Sequence, residues 1–261
     1  TLYTTNQLNQ YTQIGDTTYT FDADGNLVSE TSANGTTLYS YDDENRLIAM
    51  QVGADAWTYA YDAFSHRVSS SQNGTANLYT IDLFGLGNRV GEYDSNGSFI
   101  SSYQYGFELL SQTVTNARSF YTFDGLDNVV GLQNAAENLV AKYAYSPFGT
   151  VIFATSGNHQ PFQFEGLLGT ATSLNGLQLM RHRAYSASIG RFIQEDPAGI
   201  GGGDSNLNRY ASNSPLSFSD PEGMGTSSKG RAPSYKTPTI TPFKVGKIPF
   251  KMYGLYSYAN D

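Results

Sequence analysis

YTFDADGNL (residues 19–27), YSYDDENRL (39–47) and YAYDAFSHRV (59–68) repeat one pattern at a spacing of 20 residues. Each sets aromatic-x-aromatic-Asp before a four-residue turn and a new apolar start. The pattern continues with YTID at Tyr79, then loosens through YQYG at Tyr103, YTFDG at Tyr121, YAYSPFG at Tyr143 and FQFEG at Phe162. Two strands of about six residues and two turns of about four fill such a period, so each unit reads as a β-hairpin. Within WTYAYD, Trp57, Tyr59 and Tyr61 share one strand face and Thr58 and Ala60 the other, so stacked hairpins align columns of rings. The repeat starts after Tyr19, at about two strands each, predict at least about fourteen strands between Thr17 and Phe164, paired antiparallel in one curved sheet. A repeat hairpin cannot bury its apolar face alone. Because the chain opens inside the pattern, the reading is that it forms the C-terminal part of a longer protein and that, alone, it associates through an uncovered edge.

Composition agrees with an all-β protein. Among 261 residues there are 20 Tyr, 15 Phe and 27 Gly against 15% charged residues, which suits short aromatic strands and tight turns. With no Cys, neither a disulfide framework, a thiolate metal site nor a Cys nucleophile is available. No apolar run approaches the roughly 20 residues that cross a bilayer as a helix, so no membrane span is expected. The net charge of −8 is unevenly divided. Residues 225–261 hold six cations (Lys229, Arg231, Lys236, Lys244, Lys247, Lys251) against Asp261, a net +5, which leaves −13 for residues 1–224. An acidic body argues against nucleic-acid binding there, and the basic, proline-containing tail reads as an extended segment that lies on that body or leaves it.

GRFIQEDPAGIGGGDSNLNRYASNSPLSFSDPEGM (190–224) contains two Asp-Pro pairs, Asp196-Pro197 and Asp220-Pro221, each followed two residues later by glycine. Locally these are turns: Pro presets φ, Asp bonds its own following backbone and Gly closes the bend. Two carboxylates brought together would be a different matter, because one would keep a proton while the other accepts one.

The Y-x-Y-D-x-x-G-N/R-L repeat resembles the YD repeats of the RHS family. PFQFEG, NGLQLMRHRAYSASIGRFIQEDPAGIGG and NRYASNSPLSFSDPEGM resemble the RHS repeat-associated core that closes such arrays. The resemblance covers residues 3–224. It implies a spiralling β-sheet shell, with a YD-repeat segment over 1–142, a core plug over 143–224 and a variable basic segment over 225–261. It also implies a bacterial secreted or cell-surface setting, a C-terminal toxin or effector segment enclosed as cargo, and, as further partners, the remainder of the longer RHS chain, secretion machinery or an immunity protein.

In several members the core cuts its own chain after the DPxG-hydrophobic motif. The matching bond is Met224-Gly225, and the resemblance places the catalytic pair at Asp196 and Asp220. Such a cut is a single turnover in which proximity replaces substrate binding. Arg191, five residues before Asp196, is a candidate to orient the pair, with a structural salt bridge as its plainer reading. Arg181 and Arg183 alternate along a strand and read equally well as partners of the acidic body; Tyr185 and Phe192 read as plug core. The chain departs from the family pattern at Ala184, Ser186, Ser214, Met224 and Glu195. Glu195, a carboxylate beside the pair, is expected to raise the pair's proton affinity and slow cutting.

Other sites have less behind them. His66, His159 and His182 lack ligand spacing, GIGGG (199–203) follows no strand-to-helix pattern, and DADGN lacks the distant acid of a calcium loop, so no metal and no cofactor is expected. Against the self-cutting shell stands a non-catalytic surface or adhesive protein, which could bind carbohydrate on its tyrosine columns, although tyrosine at strand spacing is usually packing.

Overall fold

The computed structural model describes residues 1–83, 87–155, 159–173 and 175–228. The basic tail from Lys229 to Asp261 lies outside the described residues. Sixteen strands, from Tyr3–Thr5 to Val151–Ala154, form one sheet in which neighbours in sequence are neighbours in space. Every pairing is antiparallel, as in the hairpins Gly35–Tyr41 with Leu47–Val52 and Asp55–Tyr61 with Arg67–Gln72. Fourteen of these strands lie between Thr17 and Ala154. The chain is all-β. The sheet runs through residue 142, which sits within the strand Leu139–Tyr145.

Each part of the repeat has a local task. The repeat Asp starts the turn with one oxygen: Asp22 Oδ1 accepts the Asp24 and Asn26 amides at 3.0 and 2.8 Å, and Asp42 Oδ1 accepts those of Glu44 and Arg46 at 3.0 and 2.9 Å. The fourth turn position is left-handed, with φ of +78° at Gly25, +59° at Asn45 and +64° at Ser65, which explains the choice of Gly, Asn and Ser there. Register slips by one residue at the second aromatic, between Thr20 and Phe21, Ser40 and Tyr41, and Ala60 and Tyr61. A bulge repeated at one end of successive hairpins increases twist there, which curves the sheet.

The leucine after the turn is sealed in: Leu27 and Leu47 are buried, and Tyr41 and Tyr61 donate their hydroxyls to the Leu27 and Leu47 carbonyls at 2.8 Å. Successive turns are also linked, as Asn26 Nδ2 donates to Asn45 Oδ1 at 2.8 Å.

Alternation gives the sheet one wet and one dry face. In Asp55–Tyr61, Trp57 and Tyr59 are buried while Thr58 and Ala60 are exposed. The dry face is covered by the chain's own C-terminal part. Tyr19, Tyr39, Trp57 and Tyr59 pack with Leu177, Leu179, Ala184 and Ile193, and Tyr103, Tyr121 and Tyr143 pack with Phe162 and Ala171. Backbone bonds pin the cover to the repeat: the Leu27 amide donates to the Ile193 carbonyl at 2.8 Å and the Val129 amide to the Gln163 carbonyl at 2.9 Å. The cover has its own core of Phe164, Met180, Tyr185, Phe192 and Tyr210 around a four-stranded antiparallel sheet, Ala171–Thr172, Gln178–Met180, Arg183–Ser186 and Arg191–Phe192. The tyrosine columns are therefore packing surfaces in contact with protein, the use that strand-spaced tyrosine most often has.

Candidate active site

Arg183 opens its strand immediately after the turn Arg181–His182, paired with Met180. Its neighbours there are apolar, and its guanidinium lies 3.6 Å from the centroid of the Phe192 ring, so the side chain is fixed in the cover's core with 2% exposure. Nη1 donates to the Leu207 carbonyl at 2.8 Å. Nη2 reaches two carboxylates at once, Asp196 Oδ2 at 2.8 Å and Asp220 Oδ2 at 2.9 Å. The two Oδ2 atoms are thus no more than the sum of those distances, 5.7 Å, apart.

Both aspartates are also turn residues. Asp196 Oδ1 accepts the Ala198 amide at 2.8 Å, and the Asp196 carbonyl accepts the Gly199 amide at 2.8 Å. The Asp220 carbonyl accepts the Gly223 amide at 3.1 Å. The turns use the backbone and Oδ1, and the Oδ2 atom of each aspartate faces Arg183. The two readings of the Asp-Pro pairs are therefore compatible.

Asp220 holds the Met224-Gly225 peptide directly. The short strands Phe218–Ser219 and Ser227–Ser228 pair antiparallel, so residues 220–226 form the loop between them. Inside that loop Asp220 Oδ1 accepts the Met224 amide at 3.0 Å and the Gly225 amide at 3.2 Å; Oδ2 is also 3.2 Å from the Gly225 amide nitrogen. Gly223 makes the loop possible: its φ is +69°, and a Cβ there would stand 3.1 Å from both the Arg183 amide nitrogen and the Met180 carbonyl oxygen. The loop is also held at Glu222, whose carbonyl accepts the His182 amide at 3.1 Å and lies 3.0 Å from His182 Nδ1.

Burial pushes the Asp220 carboxyl above its ordinary range. Arg183 and the two loop amides pull it down without cancelling the rise, and Asp196 adds to it. Burial likewise lowers the Arg183 guanidinium, against the pull of both aspartates. One cation faces two carboxylates in a dry place, so the cluster is closest to neutral when one carboxyl keeps its proton.

The structure brings Asp196, Asp220, Met224 and Gly225 together and leaves Arg191 outside. Arg191 Nη2 donates to the Tyr11 hydroxyl at 3.1 Å, and its guanidinium lies 4.3 Å from the Tyr11 ring centroid. The central cation is Arg183, which the sequence alone leaves open between a partner of the acidic body and a role at the site; its apolar neighbours Met180, Ala184 and Tyr185 are the sign in the sequence that it is buried. Arg181 donates to Asn88 Oδ1 at 3.0 Å and the Leu168 carbonyl at 3.1 Å. Glu195 turns from the pair toward the first repeat, where Gln10 Nε2 donates to it at 3.4 Å and where burial, Asp22 and Asp24 raise its carboxyl. The three histidines are dispersed: His66 on Asp62 at 3.0 Å, His159 on Glu92 at 2.9 Å, and His182 on the Glu222 carbonyl at 3.0 Å. Among the described residues no group of three His, Asp or Glu side chains is arranged to hold a metal ion, and no helix is long and apolar enough to cross a membrane.

The sequence profile described as Teneurin YD-shell matches residues 3–201. The chain is similar to the toxin subunit YenC1 of Yersinia entomophaga, at 31% identity over 143 residues, which is 52% of this chain and 14% of that protein. It is also similar to the tRNA3(Ser)-specific nuclease WapA of Bacillus spizizenii, at 28% identity over 159 residues, 58% of this chain and 7% of that protein. Among solved structures, the crystal structure of TcdB2-TccC3-Cdc42 superposes with a TM-score of 0.57 at 16% identity, and that of TcdB2-TccC3-TEV with 0.55 at 16%; each covers 85% of this chain and 15% of the other. At that identity the superpositions speak to the fold alone. The chain spans only a small part of the length of these relatives.

Proposed function

Because the chain belongs to the Teneurin YD-shell family, we propose that it is a closing segment of a bacterial RHS-type shell, one that encloses its own C-terminal segment as cargo and detaches it by cutting Met224-Gly225. The repeat sheet is the wall and the core over 143–224 is the plug, which lays Phe162, Ala171, Leu177, Leu179, Ala184 and Ile193 on the tyrosine face. The name toxin subunit borne by YenC1 supports a role in an exported bacterial toxin, with an immunity protein and secretion machinery as expected partners.

One observation carries the cutting: the carboxylate that shares Arg183 with Asp196 also accepts both amides flanking the Met224 carbonyl. Asp220, pushed upward by burial, is the acid toward the Gly225 nitrogen, whose N–H it accepts in the uncut chain and whose lone pair becomes available once water has added to the carbonyl; Asp196, the other carboxylate, is the base. Asp196 removes a proton from water as the water oxygen bonds to the Met224 carbonyl carbon. As the C–N bond breaks, Asp220 gives its proton to the Gly225 nitrogen. Water supplies the hydroxyl of the new Met224 carboxyl, and proton exchange between the two aspartates restores the pair. The arrangement needs no substrate binding, since the bond is already held.

The test is the mass of the purified full-length chain. A fragment ending at Met224 in wild type, absent in Asp196→Asn and in Asp220→Asn, is the expected result, with the double variant no worse than either single one. A wild-type chain that stays whole would leave the cluster as a clasp that only closes the shell, the non-enzymatic reading.

A further inference from the structure

The turn begun by Asp196 leads directly into a 3-10 turn, Gly199–Gly202, with the Gly199 amide donating to the Asp196 carbonyl at 2.8 Å. A Cβ on Gly202 would stand 3.2 Å from Asp196 Oδ2 and 3.4 Å from the Met224 carbonyl oxygen. On the other side of the contact, a Cβ on Gly225 would stand 3.5 Å from the Gly202 carbonyl oxygen. The backbone of Gly202 therefore lies against the bond between Met224 and Gly225 and against the carboxylate proposed to act on it.

We infer that the backbone of Gly202 is the seat of the scissile peptide and that Gly202 is a specificity-determining residue of the cut, its bare Cα setting how closely Asp196 and the Met224 carbonyl approach. The inference rests on the cleavage reading above and adds to it the surface that holds the substrate. A methyl at 202 is tighter than ordinary contact with the Asp196 carboxylate and at the near limit of it with the Met224 carbonyl, so these groups must give by a few tenths of an ångström. Neither is a long side chain that can swing away, for one is backbone and the other is held by Arg183 and by the Ala198 amide. Gly201 is the internal control. A Cβ there meets nothing within 4 Å, and neither Gly201 nor Gly202 has the positive φ that would strain alanine.

The experiment compares Gly202→Ala with Gly201→Ala in the full-length chain, by the rate at which the fragment ending at Met224 appears and by amide exchange of residues 220–226. Exchange is read by mass spectrometry in an Asp196→Asn background. Gly202→Ala is expected to slow cutting about tenfold or more, since misplacement by about 1 Å can cost about a hundredfold. It is also expected to speed exchange of the Met224 and Gly225 amides at an unchanged thermal midpoint, while Gly201→Ala matches wild type in all three. Equal cutting and equal exchange in the two variants would overturn the inference. So would a lowered thermal midpoint confined to Gly202→Ala, which would put the requirement for glycine in the fold. A wild-type chain that is never cut defeats the cleavage reading, and the exchange comparison then decides the seat by itself.

Discussion

A guanidinium with 2% exposure carries one positive charge, and two carboxylates share it. Removing it leaves those carboxylates in a place where charge is poorly solvated, and breaking a buried pair in this way costs about 3–5 kcal/mol. Arg183→Met, which keeps much of the apolar contact with Phe192, is therefore expected to lower the unfolding free energy by about that amount at neutral pH and to stop cutting. Arg191→Met, whose partner is the Tyr11 hydroxyl and ring, should leave cutting intact. Urea unfolding together with fragment mass checks both; a silent Arg183→Met would remove the cation from the account of the site.

At the scale of strands, the pair of Glu92 and His159 ties the cover to the wall. Glu92 belongs to the strand Arg89–Asp94 and faces inward with 3% side-chain exposure. It accepts Asn77 Nδ2 at 2.9 Å and the Tyr103 hydroxyl at 2.9 Å, and it lies 2.9 Å from His159 Nε2 and 4.0 Å from Arg89 Nη1. Burial alone would push its carboxyl up, but the bond with His159 and the charge of Arg89 outweigh burial and hold it at about 2. A folded value below the ordinary 4.5 means that the unfolded chain takes up this proton first. The stabilisation is then complete above about pH 4.5 and is lost as the pH falls toward 2, by up to about 3 kcal/mol. Glu92→Gln is expected to flatten that part of the acid unfolding curve. An unchanged acid limb in the variant would show that the pair does not hold the cover down.

Among the described residues the sixteen-stranded sheet has two edge strands, and the one at Val151–Ala154 is apolar. Val151, Ile152 and Phe153 are 40%, 69% and 54% exposed on a strand that pairs on one side only within the sheet. Such an edge is a template for pairing with another chain. The 261-residue chain made alone is expected to associate with rising concentration, and Ile152→Lys to suppress this, as light scattering would show. A monomer at all concentrations would mean that the edge is protected by some other part of the protein.

The repeat was legible because its causes are local. An Asp that caps its own turn, a left-handed fourth position and aromatic residues two apart act within about ten residues, so the all-β class, the hairpin period and the buried columns could be read from the order of residues alone. The two Asp-Pro turns were legible for the same reason. Which cation stands between their carboxylates was not: Arg183 and Arg191 occupy similar strand positions in one small sheet, and only the packing of Phe192 and the return of the chain at Asp220 put the first in the dry centre and the second on Tyr11. The same holds for Glu195, which turns to the first repeat, and for Gly202, whose neighbour Met224 is brought to it by the loop from Asp220. Turn and strand preferences are properties of a short segment, whereas the strength of a charge pair and the cost of a methyl depend on what the rest of the chain excludes or brings near, and that is decided only when the cover closes on the sheet.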